Sequence, residues 1–259
     1  MKFVGIIPSR YASTRFPGKP LALVKGKPMI QCVYEQAKKA LEDVVVATDD
    51  SRIFDCVRSF GGEVVMTSEK HTCGTERCLE ALQIYLQQHN DSRPIATIQD
   101  LVVINIQGDE PYIQPQQIEQ IKHCFPTEIA TLVRPFTQEN TLEDLQNPNF
   151  PKVLLRKIHN NIADVITFSR SVIPYLRGVE QEKWLATHTF YKHIGMYAYR
   201  ADILQDIVHL PSSVLEKAES LEQMRWIEAG YAIKTAITEI PSYSVDTPED
   251  LEYINQLNV

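Results

Sequence analysis

The sequence predicts an α/β protein: a Rossmann-like, mainly parallel sheet with helices on both faces, and a small antiparallel sub-lobe. Three observations carry this expectation. Over roughly the first 106 residues, short apolar, β-branched segments alternate with segments of helical period, the mark of successive βαβ units. After about residue 127 several strand-like segments follow one another with little helix between them, which suggests antiparallel pairing. The composition, 44% hydrophobic and 23% charged over 259 residues, is ordinary globular usage and excludes a disordered or fibrous chain.

Taken in order, FVGII near the N-terminus is the first strand. Residues 28–41 form the first helix, because Ile30, Val33, Tyr34, Ala37 and Leu41 repeat at i, i+3, i+4 along one face, and Pro28 suits a first helical turn. VVVAT is a strand, 52–60 a helix, EVVM a strand, 76–88 a helix and LVVINI a strand. Beyond them ATLVRPF, KVLLRK, DVITFSR and HIGMYAYR read as strands, with one short helical stretch near 141–145. Helices return at 213–229 and 248–257, with AIKTAITEI as a strand between them. One domain over 1–259 is expected, with the sub-lobe at roughly 128–200.

Several classes are set aside on the same residues. The N-terminal apolar stretch is too brief for a secretory signal, and the longest apolar runs have strand length, so a soluble, cytoplasmic protein is expected. Five cysteines without a C-x-x-C pair suggest neither zinc nor a redox couple. Neither G-x-x-x-x-G-K-[ST] nor G-x-G-x-x-G occurs, and H-E-x-x-H and G-x-S-x-G are absent too.

Charge distribution is more informative than the net value of −7. The first 40 residues hold eight basic groups against Glu35 alone, a net +7, which leaves −14 for the remainder. A basic patch on an acidic body suits a compact anionic ligand, whereas long nucleic acid would be repelled.

Ligands of open α/β sheets bind beyond the carboxyl ends of the strands, so the residues just after each strand are the candidates. After FVGII, PSRYASTRFPGKP carries Arg10, Ser13, Thr14, Arg15 and Lys19 with no acid, a set suited to phosphate oxygens, although a solvated basic loop would look similar. After LVVINI, QGDEP places Asp109 at the ligand edge, where Mg²⁺ would reconcile a carboxylate with phosphates; an N-capping aspartate fits this turn equally well. Glu110 is either a second acid or solvated. In VDTPEDLE, Thr247, Pro248 and Asp250 are explained by helix capping, whereas Asp246 is not needed for the cap and is a candidate second metal ligand. Asp49 and Asp50 read as strand-end caps. HTCGTER, with Gly74 and a Thr75 N-cap, is a candidate for reading a nucleotide base, and His71 there reads as a surface or capping residue.

RYASTRFPGKPL, GKPMI, HTCGTER, QGDEP and VDTPEDLE, in this order, closely resemble the 3-deoxy-manno-octulosonate (Kdo) cytidylyltransferases, over residues 3–251. The first motif alone would also admit CMP-sialic acid synthetases and other sugar nucleotidyltransferases. The resemblance implies the nucleotide-diphospho-sugar transferase fold and transfer of CMP from CTP to the anomeric hydroxyl of Kdo for lipopolysaccharide assembly. It also implies Mg²⁺ and a homodimer in which the sub-lobe supplies part of the sugar pocket and the subunit contact. By position, Arg10, Ser13, Arg15 and Lys19 would hold the triphosphate, Asp109 and Asp246 would hold Mg²⁺, and Gly74, Thr75 and Arg77 would lie near the nucleotide. Gln107, Arg170, His193, Tyr197, Glu222 and Gln223 would line the sugar pocket. Cys73 departs from the serine common in relatives, and a thiol-sensitive site or a neutral swap would each account for it. Two other classes remain as rivals. A glycosyltransferase would share the sheet, but D-x-D is absent; a non-catalytic nucleotide sensor would need the basic loop without both carboxylates.

Overall fold

Strand β1 (Lys2–Ser9) is the element around which the first half of the chain is arranged, and its Val4, Ile6 and Ile7 are fully buried. A computed structural model describes residues 1–12, 15–137 and 139–257. It divides into two units, one of Met1–Glu119, Ala198–Val208 and Ser242–Val259, the other of Gln120–Tyr197 and His209–Pro241.

After β1 the first unit continues through a short 3₁₀ turn (Lys19–Leu21), a two-stranded ribbon of β2 (Leu23–Val24) and β3 (Lys27–Pro28), and α1 (Met29–Lys38). Then come β4 (Asp43–Thr48), α2 (Ser51–Ser59), β5 (Val64–Met66), α3 (Gly74–Gln88), β6 (Leu101–Asn105) and α4 (Pro115–Lys122). The strands lie in the order β5-β4-β1-β6, all parallel, with Val4 opposite both Asp43 and Val103. Every residue of β6 is buried, which is why LVVIN shows no polar alternation. Helix α1 buries Ile30, Val33, Tyr34 and Ala37 of the predicted stripe, and Met29 besides; Leu41 lies past its end yet is only 5% exposed.

The order of the strands locates the ligand crevice. From β1 the chain steps outward to β4 and β5, then returns past β1 to β6 on the other side. Right-handed crossovers then put α1 and α2 on one face and α3 on the opposite face. Connections diverge between β1 and β6, so the crevice opens at the carboxyl ends of those two strands.

The rest of the chain comprises β7 (Ile129–Pro135), α5 (Leu142–Gln146), β8 (Lys152–His159), β9 (Ile162–Ser169), α6 (Trp184–Thr187), β10 (Tyr191–Arg200) and α7 (Ala201–Val208). It ends with α8 (Val214–Glu219), α9 (Gln223–Glu228), β11 (Ile233–Ile237) and α10 (Pro248–Gln256). Within the second unit β8 and β9 form an antiparallel hairpin and β9 pairs antiparallel with β11. Outside the predicted sub-lobe range, β11 adds a parallel pairing, with β7. Their long connection, through a hairpin and several helices, returns the chain to the same end as a parallel pair requires. The predicted helix 213–229 is in fact two helices, broken where Ser220 adopts φ 50° and ψ 47°. A separate apolar cluster of Phe136, Leu145, Trp184 and Phe190 secures the loop before β10. Among the described residues, no helix is long and apolar enough to cross a membrane, and no disulfide links the five cysteines.

Candidate functional site

At the carboxyl ends of β1 and β6 the first unit has a cavity of about 430 Å³ whose lining includes Arg10, Arg15, Lys19, Gln107, Asp109 and Asp246. Each residue arrives there for a local reason. Arg10 directly follows β1, and Gln107 to Asp109 follow β6 within a turn. Gly108 is required by contact with the neighbouring strand, since a Cβ there would lie 2.9 Å from Ser9 Oγ and 3.1 Å from the Pro8 carbonyl. Asp246 comes from the segment before α10. There the Asp250 carboxylate accepts from the backbone N–H groups of Asp246 and Thr247, while Thr247 Oγ1 accepts from the Asp250 N–H, a complete capping box. The cap employs only the backbone of Asp246, as anticipated, and its side chain is left to turn to the cavity.

Two contacts join the loops that carry the aspartates. The Val245 N–H donates to the Asp109 carbonyl at 2.9 Å, and the Ser242 hydroxyl donates to Glu110 Oε2 at 2.7 Å. Glu110 is therefore neither a cavity acid nor solvated: it is 7% exposed, and burial pushes its pKa up to about 7 against the opposing effect of the Ser242 hydrogen bond.

The two aspartates converge on one cation. Lys19 Nζ lies 2.7 Å from Asp109 Oδ2 and 3.4 Å from Asp246 Oδ1, and Arg15 adds a 3.0 Å contact to Asp246. Carboxylates this close repel each other unless positive charge stands between them. Among the described residues no group of three His, Cys, Asp or Glu side chains is arranged to hold a metal. A pair of carboxylates that share one cationic point nevertheless fits Mg²⁺, which is commonly held by one or two protein carboxylates with substrate phosphates and water completing the shell.

The nucleotide candidates divide. Ser13, like Thr14, lies outside the described residues. Gly74 opens α3 beside the strand ends, since a Cβ there would meet Asn105 at 3.5 Å and Pro8 at 3.7 Å. Thr75 is not the N-cap, contrary to expectation. Cys73 holds that position, and Glu76 reaches back to the Thr72 N–H at 2.6 Å, so the helix starts earlier and Thr75 is buried in its first turn. Arg77 is 1% exposed, with Nη2 2.6 Å from Asp49 Oδ2 and Nη1 2.6 Å from Thr67 Oγ1. It is not among the residues that line the cavity, and Asp49 is its partner instead of a cap. Asp50 does cap α2, by accepting from the Arg52 N–H. His71 is not simply a surface residue: it is half-buried, paired through Nε2 with Glu80, and has Nδ1 3.8 Å from Glu76.

The second unit gathers most of the predicted sugar-pocket residues. On β10, His193 and Tyr197 have ring centroids 5.1 Å apart, and His193 meets Phe168 edge-on at 5.2 Å. Thr131 Oγ1 donates to the Met196 carbonyl at 2.8 Å, so His193 Nε2, 2.9 Å away, must be the donor to Thr131. Burial lowers the His193 pKa to about 3, which keeps the imidazole neutral and makes it a poor base. The Tyr197 hydroxyl is shifted upward by burial and by nearby Glu222. Gln223 opens α9, is 5% exposed, and its Nε2 has no hydrogen-bond acceptor among the described residues. Arg170 binds backbone: it donates to the carbonyls of Glu219 at 2.6 Å, Pro148 at 2.8 Å and Ser220 at 3.1 Å. It thus holds the turn that leads to Glu222 and Gln223.

Comparison with known proteins adds an independent line. The family model described as cytidylyltransferase matches residues 4–237. The chain belongs to the cytidylyltransferase family. A 3-deoxy-manno-octulosonate cytidylyltransferase of Parabacteroides distasonis is 57% identical over 256 residues, 97% of this chain and 96% of that protein. An 8-amino-3,8-dideoxy-manno-octulosonate cytidylyltransferase of Shewanella pealeana is 44% identical over 253 residues, 95% of this chain and 94% of that protein. Among solved structures, a CMP:2-keto-3-deoxy-manno-octonic acid synthetase complexed with CTP has a TM-score of 0.82 and 37% identity, covering 98% of this chain and 97% of that one. The α/β architecture of this cytidylyltransferase is thus that of the synthetase.

Sequence reasoning missed Tyr11 and Arg52. The guanidinium of Arg52 lies over the Tyr11 ring at 3.3 Å from its centroid. No spacing rule relates a loop residue to a helix residue forty positions on.

Proposed function

We propose that this cytidylyltransferase transfers CMP from CTP to the anomeric hydroxyl of Kdo, releasing pyrophosphate and activating the sugar for lipopolysaccharide biosynthesis. The observation that carries the reading is the convergence of Asp109 and Asp246 on Lys19 within a cavity bordered by Arg10 and Arg15, in a chain 57% identical to a Kdo cytidylyltransferase. Arg10 and Arg15 are exposed and would clasp phosphate oxygens in pairs. Lys19, on its four-carbon stem, would exchange a carboxylate for a phosphate oxygen and neutralise charge that passes to pyrophosphate. Asp109 and Asp246 would hold Mg²⁺, which, when bound, supplies Lewis-acid stabilisation of the α-phosphate and a lower pKa for the attacking hydroxyl.

The sugar oxygen forms its bond to the α-phosphorus as the bond to the pyrophosphate oxygen breaks, in line, with no covalent enzyme intermediate. With its pKa lowered by burial to about 3, His193 would be a weak general base near neutral pH. It would instead fix the sugar through a neutral imidazole, together with Tyr197, Glu222 and the buried Gln223 amide. The reading includes a homodimer, supported by exposed Ile158 and Ile166 on the β8–β9 hairpin, and a cytoplasmic location, where CTP is made. Light scattering reads the first and cell fractionation the second.

The test is pyrophosphate release by purified protein with CTP and Mg²⁺, comparing Kdo, its 8-amino analogue, sialic acid and no sugar. Release with Kdo well above the other three is expected. Release with sialic acid alone would keep the reaction and overturn the sugar. Nucleotide binding without release in any arm would favour a sensor.

A further inference from the structure

Tyr11 and Arg52 lie outside the groups assigned to substrate, yet they join the basic loop to the body of the first unit. The Tyr11 carbonyl accepts the Gly18 N–H at 2.9 Å. Gly18 is in the left-handed region, φ 72° and ψ 12°, and caps the 3₁₀ turn that begins with Lys19. A Cβ on Gly18 would stand 3.0 Å from Tyr11 Cζ and 3.1 Å from its hydroxyl, so the ring is packed directly against this turn. The same ring lies under the Arg52 guanidinium, 3.3 Å from the centroid.

Arg52 is in turn held from α2. Its Nε and Nη2 meet Asp50 Oδ1 at 3.0 Å and Oδ2 at 2.7 Å, a two-point pairing on the carboxylate that also caps the helix. Helix α2 is anchored by Ile53 and Val57, both fully buried. A continuous series of contacts therefore runs from the α2 core through Asp50, Arg52, Tyr11 and Gly18 to Lys19. The cavity beside Arg52, about 330 Å³, is lined by Arg10 and Tyr11 together with Asp49, Asp50 and Glu69. The Arg52 guanidinium is already engaged there by the Asp50 carboxylate and the Tyr11 ring.

We propose that Arg52 is a positioning residue for the nucleotide site: through its contact with Tyr11 it holds the Gly18 turn and so presents Lys19 to the triphosphate. This inference rests on the CTP-binding reading above. A cation over an aromatic ring fixes the ring's orientation with little burial, so the effect should fall on the loop's geometry and not on the stability of the unit. The cap of α2 would survive the loss of the side chain, because Asp50 accepts from the backbone N–H of residue 52.

The experiment measures CTP affinity by calorimetry and steady-state pyrophosphate release for Arg52→Ala, Tyr11→Leu, Tyr11→Phe and the Arg52→Ala/Tyr11→Leu double variant. Arg52→Ala and Tyr11→Leu should each weaken CTP binding about two- to fivefold, the scale of a cation–π contact at an exposed site. KM for Kdo and the melting temperature should stay at the wild-type values. Tyr11→Phe, which keeps the ring, should recover most of what Tyr11→Leu loses. The double variant should be no worse than Tyr11→Leu alone, because Arg52 acts through the ring. Wild-type CTP affinity in Arg52→Ala, or additive losses in the double variant, would overturn the inference. Since affinity is read without turnover, a wild-type protein that binds CTP but releases no pyrophosphate would count against the proposed reaction and leave this test intact.

Discussion

Acidification should expose the cost of burying His193. Its pKa is lowered from 6.5 to about 3 by burial, whereas in the unfolded chain it returns to the ordinary value. Between those values the unfolded state binds more protons, so stability falls as pH drops below about 6.5 and continues to fall until about 3. At pH 5 the unfolded chain gains about 2 kcal/mol from protonating this one imidazole, relative to pH 8. For a chain of this size that corresponds to about 4–8 °C in melting temperature. The assay is calorimetric melting of the wild type and His193→Asn at pH 8 and pH 5. Other titrating groups cancel in the difference, and asparagine can still donate to Thr131. The wild type should lose about 4–8 °C more than the variant over this interval. Parallel losses would refute the reasoning, by showing that His193 is solvated or charged in the folded protein.

Three further outcomes are expected. Glu110, raised to about 7, has the opposite sign: its folded carboxyl holds its proton longer, so its contribution to stability is present below about 4.5 and lost as pH rises through 7. Glu110→Gln should therefore melt higher than wild type at pH 8, by up to about 3 kcal/mol in stability, with the gap largely closing by pH 5. A pH-independent gap would contradict the raised pKa. Asp109→Ala and Asp246→Ala should each lower pyrophosphate release at least ~100-fold, and Lys19→Ala should damage turnover more than melting temperature. Near-normal turnover in either aspartate variant would remove that residue from the metal site. Arg77→Ala strands the nearly buried Asp49 carboxylate and should cost about 3–5 kcal/mol in chemical unfolding. Unchanged unfolding with a raised KM for CTP would instead put Arg77 on the nucleotide.

The parts of the site legible in the sequence were those where a local rule operates. Arg10 and Gln107 to Asp109 were readable because strand ends in open sheets face the ligand, and Asp246 because the Thr247–Asp250 capping box leaves its side chain without a structural task. The pairing of Arg77 with Asp49 was not legible, because a motif places a residue along the chain without saying which carboxylate its guanidinium meets. The Ser220 break escaped notice because helical period continues across it, and a left-handed serine carries no sequence signal comparable to glycine.

By itself, then, the sequence determined the α/β class, the positions of the strands and the chemistry of the two loops, since hydrophobic period and loop composition are properties of neighbouring residues. Tertiary structure decided which groups meet. The convergence of Asp109 with Asp246, the Arg52–Tyr11 contact, the parallel pairing of β7 with β11 and the shifted pKa values of His193 and Glu110 all depend on distance and burial between segments far apart in the chain. Electrostatic energy follows spatial separation and local polarity, and neither quantity exists until the chain has folded.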